Sequence, residues 1–313
     1  MRAGAGIVLS LLLALPATAN EVVVLNSGEA SISVLDLATM VETRRVPVLR
    51  ETHHLVLTPD RSTLIVGDSG ANELLFLDPA TAEIRRRERI SNPYHFAFTP
   101  DGARFVVTSL RRDQVDVYDW DGATQALTLR HRLKVGDMPS HLAFSPDSST
   151  AFVSLQGANR LLSFDIATGT VRWDMRVGRA PAGVLWHRGQ LLVGNMGEDN
   201  IAVVDPVAGV VTRRIVIGRG AHTIFAAPDG RALYATARVD SGISVLNPDT
   251  LDVETTWAIP GGPDCLDFAP DGRIWATLRW QKRVAVIDPA TGAYETAAVG
   301  RSPHGIFIHG GGE

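Results

Sequence analysis

Short runs of alternating apolar and polar residues recur along the chain, and clusters of turn-forming residues separate them. One such run has the form apolar-x-apolar followed by a polar residue, and it ends at Asp36, Asp78, Asp119, Asp165, Asp205, Asn247 and Asp288. Successive copies are 40–46 residues apart. Seven copies of one pattern at nearly one spacing indicate an internal repeat that extends over almost the whole chain.

Each repeat is predicted to contain four short strands. In the third copy the strand sequences are HFAF, RFVVTS, QVDVYD and TLRHRLKVG, with a Pro-Asp-Gly turn after the first of them. Alternating Val, Phe, Leu and Tyr between such turns is typical of antiparallel strands, and Asp at a strand end favours an Asx-turn. Four strands in about 42 residues is the size of a propeller blade. The sequence therefore predicts an all-β, seven-bladed β-propeller with four antiparallel strands per blade.

The two ends of the chain are expected to share one blade. The segment EVVVLNS near the N-terminus matches the second strand of a repeat, and PHGIFIHG near the C-terminus matches a first strand. We therefore expect the C-terminal strand to join the N-terminal blade and close the ring, which also removes an unpaired strand edge.

The first nineteen residues have the features of a secretory signal peptide. Arg2 provides a positive charge, residues 7–15 are an apolar run too short to span a bilayer, and Ala17-Thr18-Ala19 resembles a cleavage site. We predict a signal peptide at 1–19 and a propeller domain at 20–313. The mature protein is expected to be periplasmic or secreted, without a membrane span.

Composition limits the classes of partner. The formal net charge of −4 provides no overall field that would attract nucleic acid, and the single cysteine, Cys265, excludes an intrachain disulfide. We expect a monomer that binds no nucleic acid. Cys265 is interpreted either as a buried small apolar residue or as a ligand.

The repeat resembles the YVTN-type β-propeller repeat. The resemblance rests on a Pro before the first strand, the turn S/T-P-D-G, and strands such as FVVTS, ISVLN and VAVID, and it covers the mature chain. It implies the propeller fold and leaves activity open, because related propellers include lactonases and the haem domain of a nitrite reductase.

Histidine is concentrated where the first strand of a repeat begins. Alignment of the blades puts six of the nine histidines at two neighbouring positions, and these are predicted to lie on the rim of one channel: His53, His54, His95, His141, His222 and His304. Imidazole binds borderline metals and haem iron, so we predict a metal site, although inheritance from one duplicated blade would also explain the pattern.

Basic residues are predicted on the same face, in loops between second and third strands. Arg111, Arg238, Arg279 and Trp280 are the candidate cofactor-binding residues, since arginine suits a carboxylate or phosphate. Loops of this kind are also commonly charged only because they face solvent.

Three functions remain open from the sequence. The first is an exported accessory protein, not assigned any catalytic residue, whose histidine-rich face binds a transition metal, a haem-like cofactor or a periplasmic redox partner. The second is a lactonase-type hydrolase, which requires a divalent metal held by carboxylates. The third is an interaction scaffold without a ligand.

Overall fold

The computed structural model describes residues 21–311, and the predicted signal peptide lies outside them. This part of the chain forms seven four-stranded antiparallel sheets, with one 3-10 helix at Leu110–Arg112. It contains no helix long and apolar enough to cross a membrane. The predicted seven-bladed, all-β propeller is confirmed.

The strands are short, as expected from the repeat. Those up to the end of the fourth blade are β1 (Glu21–Asn26), β2 (Ser31–Asp36), β3 (Glu42–Pro47), β4 (Thr52–Leu57), β5 (Leu64–Asp68), β6 (Glu73–Leu77), β7 (Ile84–Arg89), β8 (His95–Phe98), β9 (Arg104–Ser109), β10 (Gln114–Asp121), β11 (Ala126–Lys134), β12 (Pro139–Phe144), β13 (Thr150–Leu155), β14 (Arg160–Asp165) and β15 (Val171–Arg176). The others are β16 (Pro181–His187), β17 (Gln190–Asn195), β18 (Asn200–Asp205), β19 (Val210–Val216), β20 (Ala221–Ala226), β21 (Leu233–Ala237), β22 (Gly242–Leu246), β23 (Val253–Ala258), β24 (Pro263–Phe268), β25 (Ile274–Leu278), β26 (Arg283–Ile287), β27 (Tyr294–Ala298) and β28 (Pro303–Ile308).

The chain ends meet in blade 1, whose strand order is β28-β1-β2-β3. Strand β28 pairs antiparallel with β1, with Val23 opposite Phe307. Each of the other blades takes four consecutive strands, from β4–β7 in blade 2 to β24–β27 in blade 7. The predicted closure of the ring by the C-terminal strand is confirmed.

The hydrophobic core lies between the blades. Seven clusters of buried apolar side chains are found in the described part of the chain, and each fills the space between two neighbouring blades. The cluster at the ring closure joins Val22 and Val24 of β1 to Trp275 and Val284 of blade 7. Stability therefore depends on every blade having two neighbours.

The turns after the third strands follow the repeat with one exception. Asp36 Oδ1 accepts a hydrogen bond from the backbone N–H of Thr39 at 2.7 Å, as an Asx-turn requires. In blade 3 the expected residue, Asp119, does not do this, because β10 extends to Asp121 and Asp121 accepts from Ala123 N–H at 3.0 Å. The assignment of that turn to Asp119 was wrong, and Asp119 instead pairs with Arg104.

Candidate functional site

The innermost strand of nearly every blade is interrupted at the two positions that the sequence singled out. The pairing register between first and second strands shifts at these positions in six blades: between Thr52 and Leu55, Pro139 and Leu142, Pro181 and Val184, Ala221 and Ile224, Pro263 and Leu266, and Pro303 and Ile306. Such bulges redirect side chains and are common beside functional sites. In these six blades the shift leaves two consecutive residues of the innermost strand outside the regular pairing.

Small hydroxyl residues on the second strands hold these bulges in place. In three of these blades the N–H of the second bulge residue donates to a Ser or Thr hydroxyl at 3.0–3.3 Å: His141 to Ser154, Thr223 to Thr236 and Cys265 to Thr277. Blade 3 has no register shift, but the N–H of His95 donates to the Thr108 hydroxyl in the same way at 3.2 Å. Some of these hydroxyls also reach the next blade, as when Thr277 donates to the carbonyl of His304 at 2.8 Å. The local geometry of the site is therefore built into the repeat.

The six candidate histidines come together around the channel, and most of them are buried. His53, His54, His141, His222 and His304 are at most 7% exposed, and His95 is half-buried. These side chains lie in the channel, where the seven innermost strands contact one another around the ring.

Three of the imidazoles form a compact triangle. The ring centroids of His54, His95 and His141 are 4.5, 4.9 and 5.0 Å apart. His304 lies 4.6 Å from His54, and the phenol ring of Tyr94 lies 5.2 Å from it. Residues from blades 1 to 4 thus converge around His54.

Four nitrogens on this side of the channel are buried and have no hydrogen-bond partner among residues 21–311. They are Nδ1 of His53 and His95 and Nε2 of His54 and His141. Burial lowers the pKa of His95 to about 4 and holds those of His54 and His141 well below the ordinary value. The rings are therefore neutral at pH 7, and a neutral imidazole offers one nitrogen lone pair to a ligand.

The opposite side of the channel is an ionic cluster around Asp264, which is fully buried. Arg238 donates from Nε to Oδ1 at 3.0 Å, and Arg279 donates from Nη1 to Oδ2 at 3.4 Å. His222 Nδ1 lies 2.9 Å from Oδ1. Burial alone would raise the pKa of Asp264, but Arg238 and the neighbouring histidines hold it well below its usual range. Asp264 is therefore ionised and well neutralised.

His304 connects the two sides. Its Nε2 lies 3.7 Å from Asp264 Oδ2, and its Nδ1 lies 3.6 Å from Cys265 Sγ. Among the described residues, Asp264, Cys265 and His304 are the one group of such side chains whose ligand atoms all lie within 4.8 Å of one another. Burial raises the pKa of Cys265 well above its ordinary value, with Asp264 adding to the effect, so the thiol is protonated.

A cavity of about 260 Å³ opens on the face where the loops between second and third strands meet the channel. Its lining includes three of the four predicted cofactor-binding residues, Arg111, Arg238 and Arg279, beside His53 and His222. Trp280 is 58% exposed and does not line this cavity. Its ring covers Gly262, where an added Cβ would lie 2.8 Å from Trp280 Cδ2.

The sequence did not point to three other residues of this cavity. Glu51 bridges the site, since Oε1 lies 2.8 Å from His53 Nε2 and Oε2 accepts from Arg111. The hydrogen bond with His53 is the main reason that the pKa of Glu51 falls to about 2. Met138 and Met196 supply thioethers. Glu51 could have been found from its position two residues before His53, but methionine in a loop carries no such signal.

The comparison with protein families identifies the chain. The sequence profile of the YNCE-like beta-propeller family matches residues 5–310. The chain belongs to this family. The predicted resemblance to repeat-type propellers is thereby confirmed, and among curated proteins none matches the sequence.

Solved structures with the same fold have diverse descriptions. A functionally unknown protein from Desulfotomaculum acetoxidans is similar with a TM-score of 0.79 and 14% identity, over 92% of this chain and 98% of that one. The dihydro-heme d1 dehydrogenase NirN, in complex with DHE, has a TM-score of 0.69 and 16% identity, over 94% and 76%. A putative 6-phosphogluconolactonase from Bacteroides fragilis has a TM-score of 0.70 and 13% identity, over 94% and 99%. At these identities the likeness establishes the fold and leaves the activity open.

Proposed function

We propose that this protein is an exported accessory protein that binds a transition-metal ion in its channel through His54, His95 and His141. The observation that carries the proposal is the set of buried imidazole nitrogens without partners on this side of the channel. Leaving a buried polar group unsatisfied costs about 1–3 kcal/mol, and whole proteins are stable by only about 5–15 kcal/mol. A metal ion would supply the missing partner for several of these groups at once.

The spacing of the rings fits such an ion. With metal–nitrogen bonds of about 2.0–2.1 Å in a tetrahedral site, the centroids of three imidazole ligands lie about 5 Å apart. The observed separations are 4.5–5.0 Å. Binding requires the rings to turn about their Cβ–Cγ bonds, a soft torsion for histidine that moves the nitrogens and leaves the centroids nearly in place.

The chemical type of the ligand atoms, imidazole nitrogens, indicates the class of metal. Neutral imidazole suits copper, zinc, nickel and iron, whereas the thiolate that would favour a softer site is not formed at Cys265. The group of Asp264, Cys265 and His304 is less suitable, although its atoms are close together. Two guanidinium groups already neutralise Asp264, so a divalent cation there would be repelled by Arg238 and Arg279.

The other interpretations have less support. A haem-like cofactor, suggested by the ligand of NirN, needs more room than the cavity of about 260 Å³ above the histidines, since pockets for drug-sized ligands are about 300–1,000 Å³. A lactonase centre needs carboxylates that are free to hold a metal, but Glu51 is occupied by His53 and Arg111, and Asp264 by two arginines.

The test is titration of chelator-treated protein with Zn²⁺ and with Cu²⁺, followed by calorimetry and by thermal unfolding. We expect one strong site per chain and a higher melting temperature, because an ion at 100 times its Kd stabilises by about 2.7 kcal/mol. The variant with His54→Gln, His95→Gln and His141→Gln should lose both effects.

The matched control removes three histidines outside the channel. His131 and His187 bond to backbone carbonyls on the outside of the propeller, and together with His309 they complete the nine. The variant His131→Gln, His187→Gln, His309→Gln should bind metal like the wild type. Equal binding by all three proteins, or no strong site in the wild type, would show that His54, His95 and His141 do not form a metal site.

Export is tested separately. The support is the N-terminal sequence, with its charge, apolar run and Ala17-Thr18-Ala19 motif. Protein recovered from the periplasm or medium of its own host should begin at Asn20. An unprocessed N-terminus in the cytoplasmic fraction would contradict this part of the proposal.

A further inference from the structure

The cavity above the histidines has a surplus of positive charge. Three guanidinium groups line it, those of Arg111, Arg238 and Arg279. Two carboxylates balance them, because Glu51 pairs with Arg111 and Asp264 pairs with both of the others. His53 and His222 add no charge at neutral pH, since burial lowers the pKa of both rings. One positive charge therefore remains, on side chains that are largely buried.

The surplus positive charge lies on Arg238 and Arg279, because the two share one carboxylate, that of Asp264. Some of their N–H donors have no strong acceptor. Arg238 Nη1 donates to the thioether of Met196 at 3.3 Å, and sulfur is a weak acceptor. Arg279 donates to Asp264 from Nη1, and no hydrogen bond among residues 21–311 uses its Nε or Nη2. The side chains of the two arginines are only 13% and 22% exposed. Because these N–H donors are largely buried and lack a strong acceptor, they favour the binding of a ligand whose oxygen atoms accept hydrogen bonds from them.

The size and lining of the cavity narrow the class of ligand. Its volume of about 260 Å³ is below the range of about 300–1,000 Å³ that pockets for drug-sized ligands have. Leu110, Met138 and Met196 provide apolar surface beside the arginines. The cavity therefore suits a small ligand with one anionic end and an apolar body.

We propose that this cavity binds a small monocarboxylate, whose carboxylate is held by Arg238 and Arg279. A planar guanidinium matches a carboxylate better than it matches a spherical anion, and a single negative charge balances the surplus. The site uses side chains other than His54, His95 and His141, so the inference does not depend on metal binding.

The experiment is calorimetric titration of chelator-treated protein with acetate, butyrate and benzoate. Benzamide serves as the uncharged analogue of benzoate, and chloride and inorganic phosphate serve as anions of other shape. We expect butyrate or benzoate to bind, benzamide not to bind, and the inorganic ions to compete weakly. Binding by no carboxylate above the benzamide background would overturn the proposal. Phosphate or chloride binding as tightly as benzoate would overturn the carboxylate assignment.

Two substitutions distinguish the site from general surface charge. Arg279→Gln should weaken benzoate at least about tenfold, since it removes a charge-assisted hydrogen bond, and Arg279→Lys should restore only part of the affinity because it lacks the planar fork. Arg219→Gln is the control, because Arg219 is paired with Asp240 on the same face and does not line the cavity. Equal losses in the Arg279 and Arg219 variants would contradict the assignment. Each variant is first checked for a wild-type melting curve, and Arg279→Lys is measured if Arg279→Gln unfolds.

Discussion

The two sides of the channel are built on the same backbone and have opposite chemistry. Blades 2 to 4 contribute His54, His95 and His141, which are neutral and have unpartnered nitrogens. Blades 6 and 7 contribute Arg238, Asp264 and Arg279, which are charged and paired. In both halves the functional side chains stand at equivalent positions of the first strand or in the same loop of the repeat. The repeat therefore fixes where a side chain stands, and residue identity decides whether that half of the channel is neutral or ionic.

A close approach between blades limits which residue the bulge can carry. Blade 5 has Gly183 where blades 2 to 4 have histidine, and a Cβ there would lie 2.7 Å from the Cα of Thr223 in blade 6. Gly305 is similar, with a Cβ position 2.7 Å from the carbonyl oxygen of His53. Contacts this short leave no space for any side chain. The absence of histidine from blade 5 therefore follows from packing.

The largest effect on folding is expected from removal of β28, which carries His304 between the histidine side and the ionic side of the channel. Deletion of residues 303–313 removes β28, and with it the partner of β1 and the ring of His304, which lies 4.6 Å from His54. We expect loss of cooperative unfolding and an insoluble product, since β1 and blades 2 and 7 become exposed at one edge. The measurement is far-UV circular dichroism during thermal unfolding. A soluble truncated protein with a wild-type melt would show that closure of the ring is dispensable.

The repeat made the fold predictable, whereas the site was predictable only in part. Alternation and turn residues are local signals repeated seven times, so strand order and closure followed from the sequence. The convergence of His54, His95 and His141 also followed, because equivalent positions in a ring face its centre. The burial of these side chains did not follow, since it depends on how the first strands depart from regular pairing and on how closely neighbouring blades approach. Neither did the pairing of Asp264 with arginines from two loops, which joins residues far apart in the sequence.

The second-largest effect is expected on the stability of the ionic cluster around Asp264. Asp264→Ala leaves Arg238 and Arg279 buried without their counter-charge, which should lower the free energy of unfolding by about 3–5 kcal/mol. Asp240→Ala is the control, because Asp240 pairs with Arg219 at the surface, where such pairs contribute about 0–1 kcal/mol. Urea denaturation measures both. Equal losses for the two variants would mean that the cluster around Asp264 contributes no more than a surface ion pair.

The third effect is the pH dependence of the histidine side in metal-free protein. Burial lowers the pKa of His95 to about 4 in the folded state, against an ordinary value of 6.5. Between these values the unfolded chain binds more protons, so stability is full above pH 6.5 and falls as the pH drops toward 4. This histidine alone contributes at most about 3 kcal/mol.

The measurement is urea denaturation at several pH values from 7.5 to 4.5. The variant with His54→Gln, His95→Gln and His141→Gln should lose less stability over this range than the wild type. The variant with His131→Gln, His187→Gln and His309→Gln should behave like the wild type. Identical slopes in all three proteins would show that the channel imidazoles titrate as they do in water.

The smallest effect should come from Trp280, which tests how far the ionic side extends outward. Trp280 follows Arg279 in the same loop, but it is 58% exposed, does not line the cavity and contacts Gly262. Trp280→Ala should change the free energy of unfolding by no more than about 0.5 kcal/mol, as is usual for surface positions, and should leave benzoate and Zn²⁺ affinity unchanged. Calorimetry with both ligands measures this. A loss of benzoate affinity comparable to that of Arg279→Gln would show that the binding surface continues beyond the cavity onto the loop, and that the tryptophan belongs to the ligand site as the sequence predicted.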